Sequence, residues 1–124
     1  MAKQYDLEER TLNFAKRVRE FVKKIPRTIA NIEDGKQLIK SSGSIGANYI
    51  EANEALSKKD FSMRIKISRK EAKESRFWLR LIYTGNNKML EQERADLIQE
   101  TTELIKIFSS ILDKSGEKSW KTKF

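Results

Sequence analysis

Residues 57–83 read SKKDFSMRIKISRKEAKESRFWLRLIY, and the reading of this stretch decides the fold. On a helical wheel Phe61, Ile65, Ser68, Ala72, Ser75, Leu79 and Ile82 fall in one stripe, spaced three and four residues apart. That spacing predicts one long amphipathic helix with an inner face. Met63, Ile67, Phe77, Trp78 and Leu81 lie nearly opposite it and form a second apolar face. Between the two runs a basic file, Lys66, Arg69, Lys73, Arg76 and Arg80, at the same spacing. A lone small bundle needs only the first of these three faces.

The rest of the chain suits helices. Its 124 residues allow one domain, and 35% charged against 38% hydrophobic residues fits slender amphipathic helices with much solvated surface. One proline and five glycines are too few for the turns of an all-β fold. With neither cysteine nor histidine, disulfides, thiolate metal sites and imidazole chemistry are excluded. No apolar run approaches the roughly 20 residues needed to span a bilayer, so no membrane association is expected. The opening MAKQYDLEER has no apolar signal region, and a cytoplasmic location is expected.

Working outward, Asp6 caps a first helix of about residues 7–24, with Glu8 and Glu9 in its first turn and Pro26 behind it. Its inner positions are Leu7, Thr11, Phe14, Val18, Phe21, Val22 and Ile25. Pro26 or Arg27 opens a second helix reaching to about residue 56. Its difficult part is SSGSIGAN, residues 41–48, which local propensity reads as a loop. Leu38, Ser42, Ile45, Tyr49, Asn53 and Leu56 nevertheless keep the helical spacing straight through it, with Gly35 and Gly46 on the same face. The period is preferred, because small residues admit a neighbouring helix that offsets roughly 1 kcal/mol of propensity lost per glycine. The third helix, about 58–83, is capped by Ser57 or Asp60, and Thr84-Gly85-Asn86-Asn87 ends it. A fourth helix covers about 90–113, and residues 116–124 form a basic tail expected to be loose. Four such helices on short turns predict an all-α, antiparallel up-down-up-down bundle over residues 1–115.

Catalytic constellations are lacking. Glu51, Glu54, Glu71 and Glu74 bring to mind di-iron bundles, but those sites also use histidine. SSGSIGAN lacks the GxxxxGK[ST] pattern and has no preceding strand, so a phosphate loop is a weak reading. Ser42, Ser68 and Ser75 sit on packing faces with no base beside them. A non-enzyme without cofactor or metal is expected.

Charge is the remaining functional signal. The formal net charge is +8, and residues 58–80 hold nine Lys/Arg against three Asp/Glu. The file Lys66, Arg69, Lys73, Arg76 and Arg80 spans about 21 Å at 1.5 Å per residue, long enough to follow several phosphates of RNA or DNA. Lys58, Lys59, Lys121 and Lys123 would extend it. The plainer reading is a solvated face, with Lys70 and Glu74 an i, i+4 pair beside it. Phe77 and Trp78 suit base stacking, but large outer aromatics more often mark an oligomer interface, here Met63, Ile67, Phe77, Trp78 and Leu81. A rival reading makes the basic face a contact for acidic protein surface, as in a scaffold or accessory subunit.

Three segments carry a resemblance: DLEERTLNFAKRVREFVKKIP from residue 6, GKQLIKSSGSIGANYIEANEA from residue 35, and FSMRIKISRKEAKESRFWLRLI from residue 61. Together they resemble the four-helix-bundle proteins encoded in intervening sequences of bacterial 23S ribosomal RNA genes. That family is related to the accessory variability determinant of diversity-generating retroelements. The resemblance covers roughly residues 6–112. It implies a homopentamer with a basic surface and, for the retroelement branch, nucleic acid and a reverse transcriptase as partners. It supplies no catalytic residues.

Overall fold

The computed structural model describes residues 7–115, which form four α-helices: α1 (Leu7–Lys24), α2 (Ile29–Asn53), α3 (Lys58–Leu81) and α4 (Lys88–Ser115). No strand occurs among the described residues. Asp6 as a cap and the tail 116–124, with Lys121 and Lys123, lie outside them.

α1 buries Leu7, Thr11, Phe14, Val18 and Phe21 and carries Glu8, Glu9, Lys23 and Lys24 where the helix dipole favours each sign. α2 begins two residues later than its expected opening at Arg27. Thr28, in extended backbone, is the N-cap, and its side chain accepts from the Asn31 N–H at 3.0 Å. α2 runs unbroken through residues 41–48, as its periodicity predicts. It then ends at Asn53 rather than near residue 56. The inner stripe therefore closes on buried Ala52, while Asn53 is exposed and Leu56 is 99% exposed. Of the two candidate caps for α3 it is Ser57 that serves, accepting from the Asp60 N–H at 3.0 Å. α3 stops at Leu81, two residues short of expectation. Gly85 and Asn86 both take positive φ in the turn that follows. Asn87 then caps α4, accepting from the Leu90 N–H at 3.0 Å, which starts that helix two residues earlier than expected.

Cross-helix contacts fix the topology. Thr11 meets Gly46 and Val22 meets Gly35, so residue numbers rise along α1 as they fall along α2. Ser41 pairs with Ser75, Ser68 with Ile45, and Arg64 with Asn48, giving the same reversal between α2 and α3. Arg69 reaches Ser109 and Arg76 reaches Thr102, reversing α3 against α4. Each helix thus runs against the next, as connections this short require. Phe14, Phe21, Leu38, Ile45, Ile65, Leu79, Leu104 and Phe108 fill the shared interior.

The α2–α3 seam is built from small polar residues. Ser41, Ser42, Ser68 and Ser75 are buried, and each hydroxyl finds a partner: Ser41 and Ser75 each other at 2.8 Å, Ser68 the Ile45 carbonyl at 3.0 Å, Ser42 the Ile39 carbonyl at 3.1 Å. Two small side chains facing each other let the backbones approach, and the mutual bond removes the cost of burying hydroxyls. This seam holds α3 in the rotation that turns its other two faces outward.

Candidate nucleic-acid interface

With Ile65, Ser68, Ala72, Ser75, Leu79 and Ile82 buried, the basic file of α3 lies on the α4 side of the helix. Lys66, Lys73 and Arg80 are exposed, and Arg69 and Arg76 are half-buried. Arg69 Nη1 donates to Ser109 Oγ at 3.2 Å and Arg76 Nη1 to Thr102 Oγ1 at 3.4 Å. Both partners are neutral hydroxyls on α4. They orient the guanidinium groups and leave their charge uncompensated. Among the described residues, none of the five cations enters an ion pair. The neighbouring charges behave differently from expectation: Lys70 reaches Glu71 at 4.0 Å rather than Glu74 one turn away. Lys58 and Lys59 are exposed at the start of α3, at the other end from Arg80.

The second apolar face divides in two. Met63, Phe77 and Leu81 stand out at 49%, 55% and 50% exposure. Ile67 and Trp78 are half-buried, Trp78 packing against the core and meeting Phe77 edge-on at 5.0 Å between ring centres. Glu71 is half-buried on the same side. Loss of solvent, and next the neighbouring Glu74 charge, push its carboxyl above the usual range, with Lys70 and Lys40 opposing.

Stronger electrostatics are reserved for fixing helices. Arg10 donates twice to Glu100, at 2.7 and 3.0 Å, clamping α1 to α4; that hydrogen bond holds the guanidinium further above its ordinary pKa. Arg94 donates to the Leu79 and Ile82 carbonyls and so closes the C-terminus of α3, while also pairing with Glu91 at 2.6 Å. Thr84 donates to the same carboxylate, and this bond first, then Arg94, holds Glu91 below the usual carboxylate range. Neither clamp is legible from one helix alone.

Glu51 and Glu54 are exposed, and no cluster of acidic side chains suited to a metal ion occurs among the described residues. No helix there is long and apolar enough to cross a membrane. A feature missed by wheel reading is a groove of about 350 Å³ between α1 and α2, floored by Thr11, Gly43 and Gly46 and edged by Leu12 and Ile50. Its only sequence signal was two apolar residues off the inner stripe of their helices.

Comparison with known proteins agrees with this architecture. A crystal structure of a protein of unknown function from the S23 ribosomal protein family of Bacteroides thetaiotaomicron is 30% identical. It superposes with a TM-score of 0.70 over 85% of this chain and 96% of its own. No curated protein matches the chain. The family described as 23S rRNA-intervening sequence protein matches residues 3–110, nearly the whole bundle, and the chain belongs to that family.

Proposed function

We propose that this chain is a non-enzymatic, cytoplasmic bundle that assembles as a homopentamer and holds RNA or DNA through phosphate contacts along α3. The observation that carries the reading is the state of the ridge. Five cations follow one helix for about 21 Å without an acidic partner among the described residues, and two of them are oriented by neutral hydroxyls. The family's link to a ribosomal RNA intervening sequence makes structured RNA the first probe.

Phosphate contacts release counterions, so affinity must fall with salt, by a log–log slope of roughly −0.9 per duplex phosphate neutralised. Filter binding between about 50 and 200 mM salt tests this. Steep weakening is expected, and reversal of all five ridge charges should abolish binding with the helical circular dichroism unchanged. Absence of binding at the low end, or a flat salt response, overturns the reading. The exposed Met63, Phe77 and Leu81 beside the ridge favour a second reading, an accessory subunit docking on a protein such as a reverse transcriptase. Co-purification of protein without nucleic acid would support it.

A further inference from the structure

Two surfaces of this bundle are unexplained by its own folding. One is the outer side of α3, where Met63, Phe77 and Leu81 face solvent beside the carboxylates Glu71 and Glu74. Lys70 meets Glu71 only at 4.0 Å, and among the described residues Glu74 is in no ion pair. The other is the groove between α1 and α2, edged by Leu12 and Ile50 and flanked by Lys16 and Arg19.

Gly43 distinguishes this groove from packing slack. At Gly46 a Cβ would lie 2.8 Å from Thr11 Oγ1, so the approach of α1 demands glycine there. At Gly43 a Cβ would meet nothing nearer than Arg19 Nη2 at 3.6 Å, an ordinary contact. The fold accommodates alanine at that position. A glycine inside a helix is destabilising relative to alanine, and what glycine leaves here is an open groove.

We infer that the outer apolar face of α3 docks into the α1–α2 groove of a second copy of this chain, with Glu71 and Glu74 set against Lys16 and Arg19. The groove offers Lys16 and Arg19, with Glu8 at its far end, to the carboxylates Glu71 and Glu74, which share their face with Lys70. The groove runs from Glu8 to Arg19, about 16 Å along the helix, and the face from Met63 to Leu81 is about 27 Å, so its middle can seat fully. Glu71, whose contact to Lys70 is long at 4.0 Å, and Glu74, in no ion pair among the described residues, would each gain a cation at close range. Face and groove are different surfaces, so the contact is head-to-tail, and its repetition closes a ring or extends a filament. This inference rests on the self-association proposed above and specifies the contact that makes it.

Light scattering on the full chain without nucleic acid tests it with three variants. Gly43→Leu fills the groove, Phe77→Asp spoils the face, and Gly43→Ala leaves the groove open. The unaltered chain and Gly43→Ala should both run as assemblies. Gly43→Leu and Phe77→Asp should each run at the 14.5 kDa of one chain with normal circular dichroism. Mixed in equal amounts, those two should form a dimer and nothing larger, because each retains the surface the other has lost. An assembled wild type whose mass survives Gly43→Leu, or a mixture that stays monomeric, overturns the docking and leaves self-association standing. A monomeric wild type overturns both.

Discussion

Ser41 and Ser75 meet side chain to side chain at 2.8 Å in the middle of the α2–α3 seam, both shielded from solvent. Ser41 keeps a second acceptor, the Leu38 carbonyl at 3.3 Å, whereas for Ser75 the pair is the one bond its side chain makes. Ser41→Ala leaves the buried Ser75 hydroxyl without a partner and should cost about 1–2 kcal/mol in urea unfolding; Ser75→Ala, which leaves Ser41 its bond to Leu38, should cost less. The double alanine variant should cost less than the two singles together. Strict additivity would show that the pair contributes nothing of its own. Ser75→Leu should cost more, about 1–3 kcal/mol, because the close approach leaves no volume for it.

Two of the helical glycines facing α1, Gly43 and Gly46, should respond with opposite sign. Gly43→Ala should stabilise a single chain by up to about 1 kcal/mol. Gly46→Ala should destabilise it despite the same gain in propensity. Thr11 is buried, and its hydroxyl is tied to the Leu7 and Glu8 carbonyls at 2.9 and 3.0 Å, so it cannot step aside. Thermal melts of the two variants decide the matter, and equal shifts would refute the packing account.

Asn31 joins two connections that are remote in sequence. It is 2% exposed, donates to the Pro26 and Tyr83 carbonyls at 2.8 and 2.7 Å, and accepts from the Tyr83 N–H at 2.9 Å. Asn31→Ala should cost about 1–3 kcal/mol, since three partly buried backbone groups lose their partner. Asn31→Asp should be no milder, because a carboxylate cannot donate to either carbonyl. A loss below about 0.5 kcal/mol in either variant would contradict this role.

Acid should affect the two perturbed carboxylates in opposite directions. Glu71 is raised in the folded chain, so folding binds its proton more tightly than the unfolded chain does. Its contribution therefore becomes more favourable as pH falls through the raised value, and levels off below the ordinary carboxylate pKa. Glu91 is lowered by Thr84 and Arg94, so its stabilisation is full above the ordinary value and disappears as pH falls through the folded one. Glu71→Gln should raise stability at neutral pH and flatten the upper part of the profile. Thr84→Val should weaken the acid-side loss. Unfolding free energies measured from neutral pH down to about pH 3 separate the two.

Periodicity made most of the bundle legible. The inner stripe of α3 and the continuity of α2 through residues 41–48 both follow from spacing, because burial on one side imposes a period that local propensity does not. Spacing alone could not find the end of α2. Leu56 keeps the pattern past Asn53, where the helix ends, yet the Ala55 N–H turns back to the Ala52 carbonyl at 3.1 Å and Ser57 is already the next cap. Nor could it assign Lys70 to Glu71, which depends on rotamers and on the half-burial of Glu71. The α1–α2 groove left only Leu12 and Ile50 as a trace, for a different reason. Gly43 and Gly46 look alike in sequence, and only the position of α1 separates the glycine that packing demands from the one it does not.

The reversal of α4 against α1, seen where Arg10 and Lys24 reach Glu100 and Glu93, brings the start of α1 and the end of α4 to the same pole. Connectivity and architecture are then separable. A circular permutant that joins these two ends through a flexible linker and opens the chain at exposed Leu56 should keep the four-helix packing, since Leu56 makes no backbone hydrogen bond among the described residues. Loss of cooperative melting in the permutant would mean that the α2–α3 link, rather than the seam it joins, sets the register.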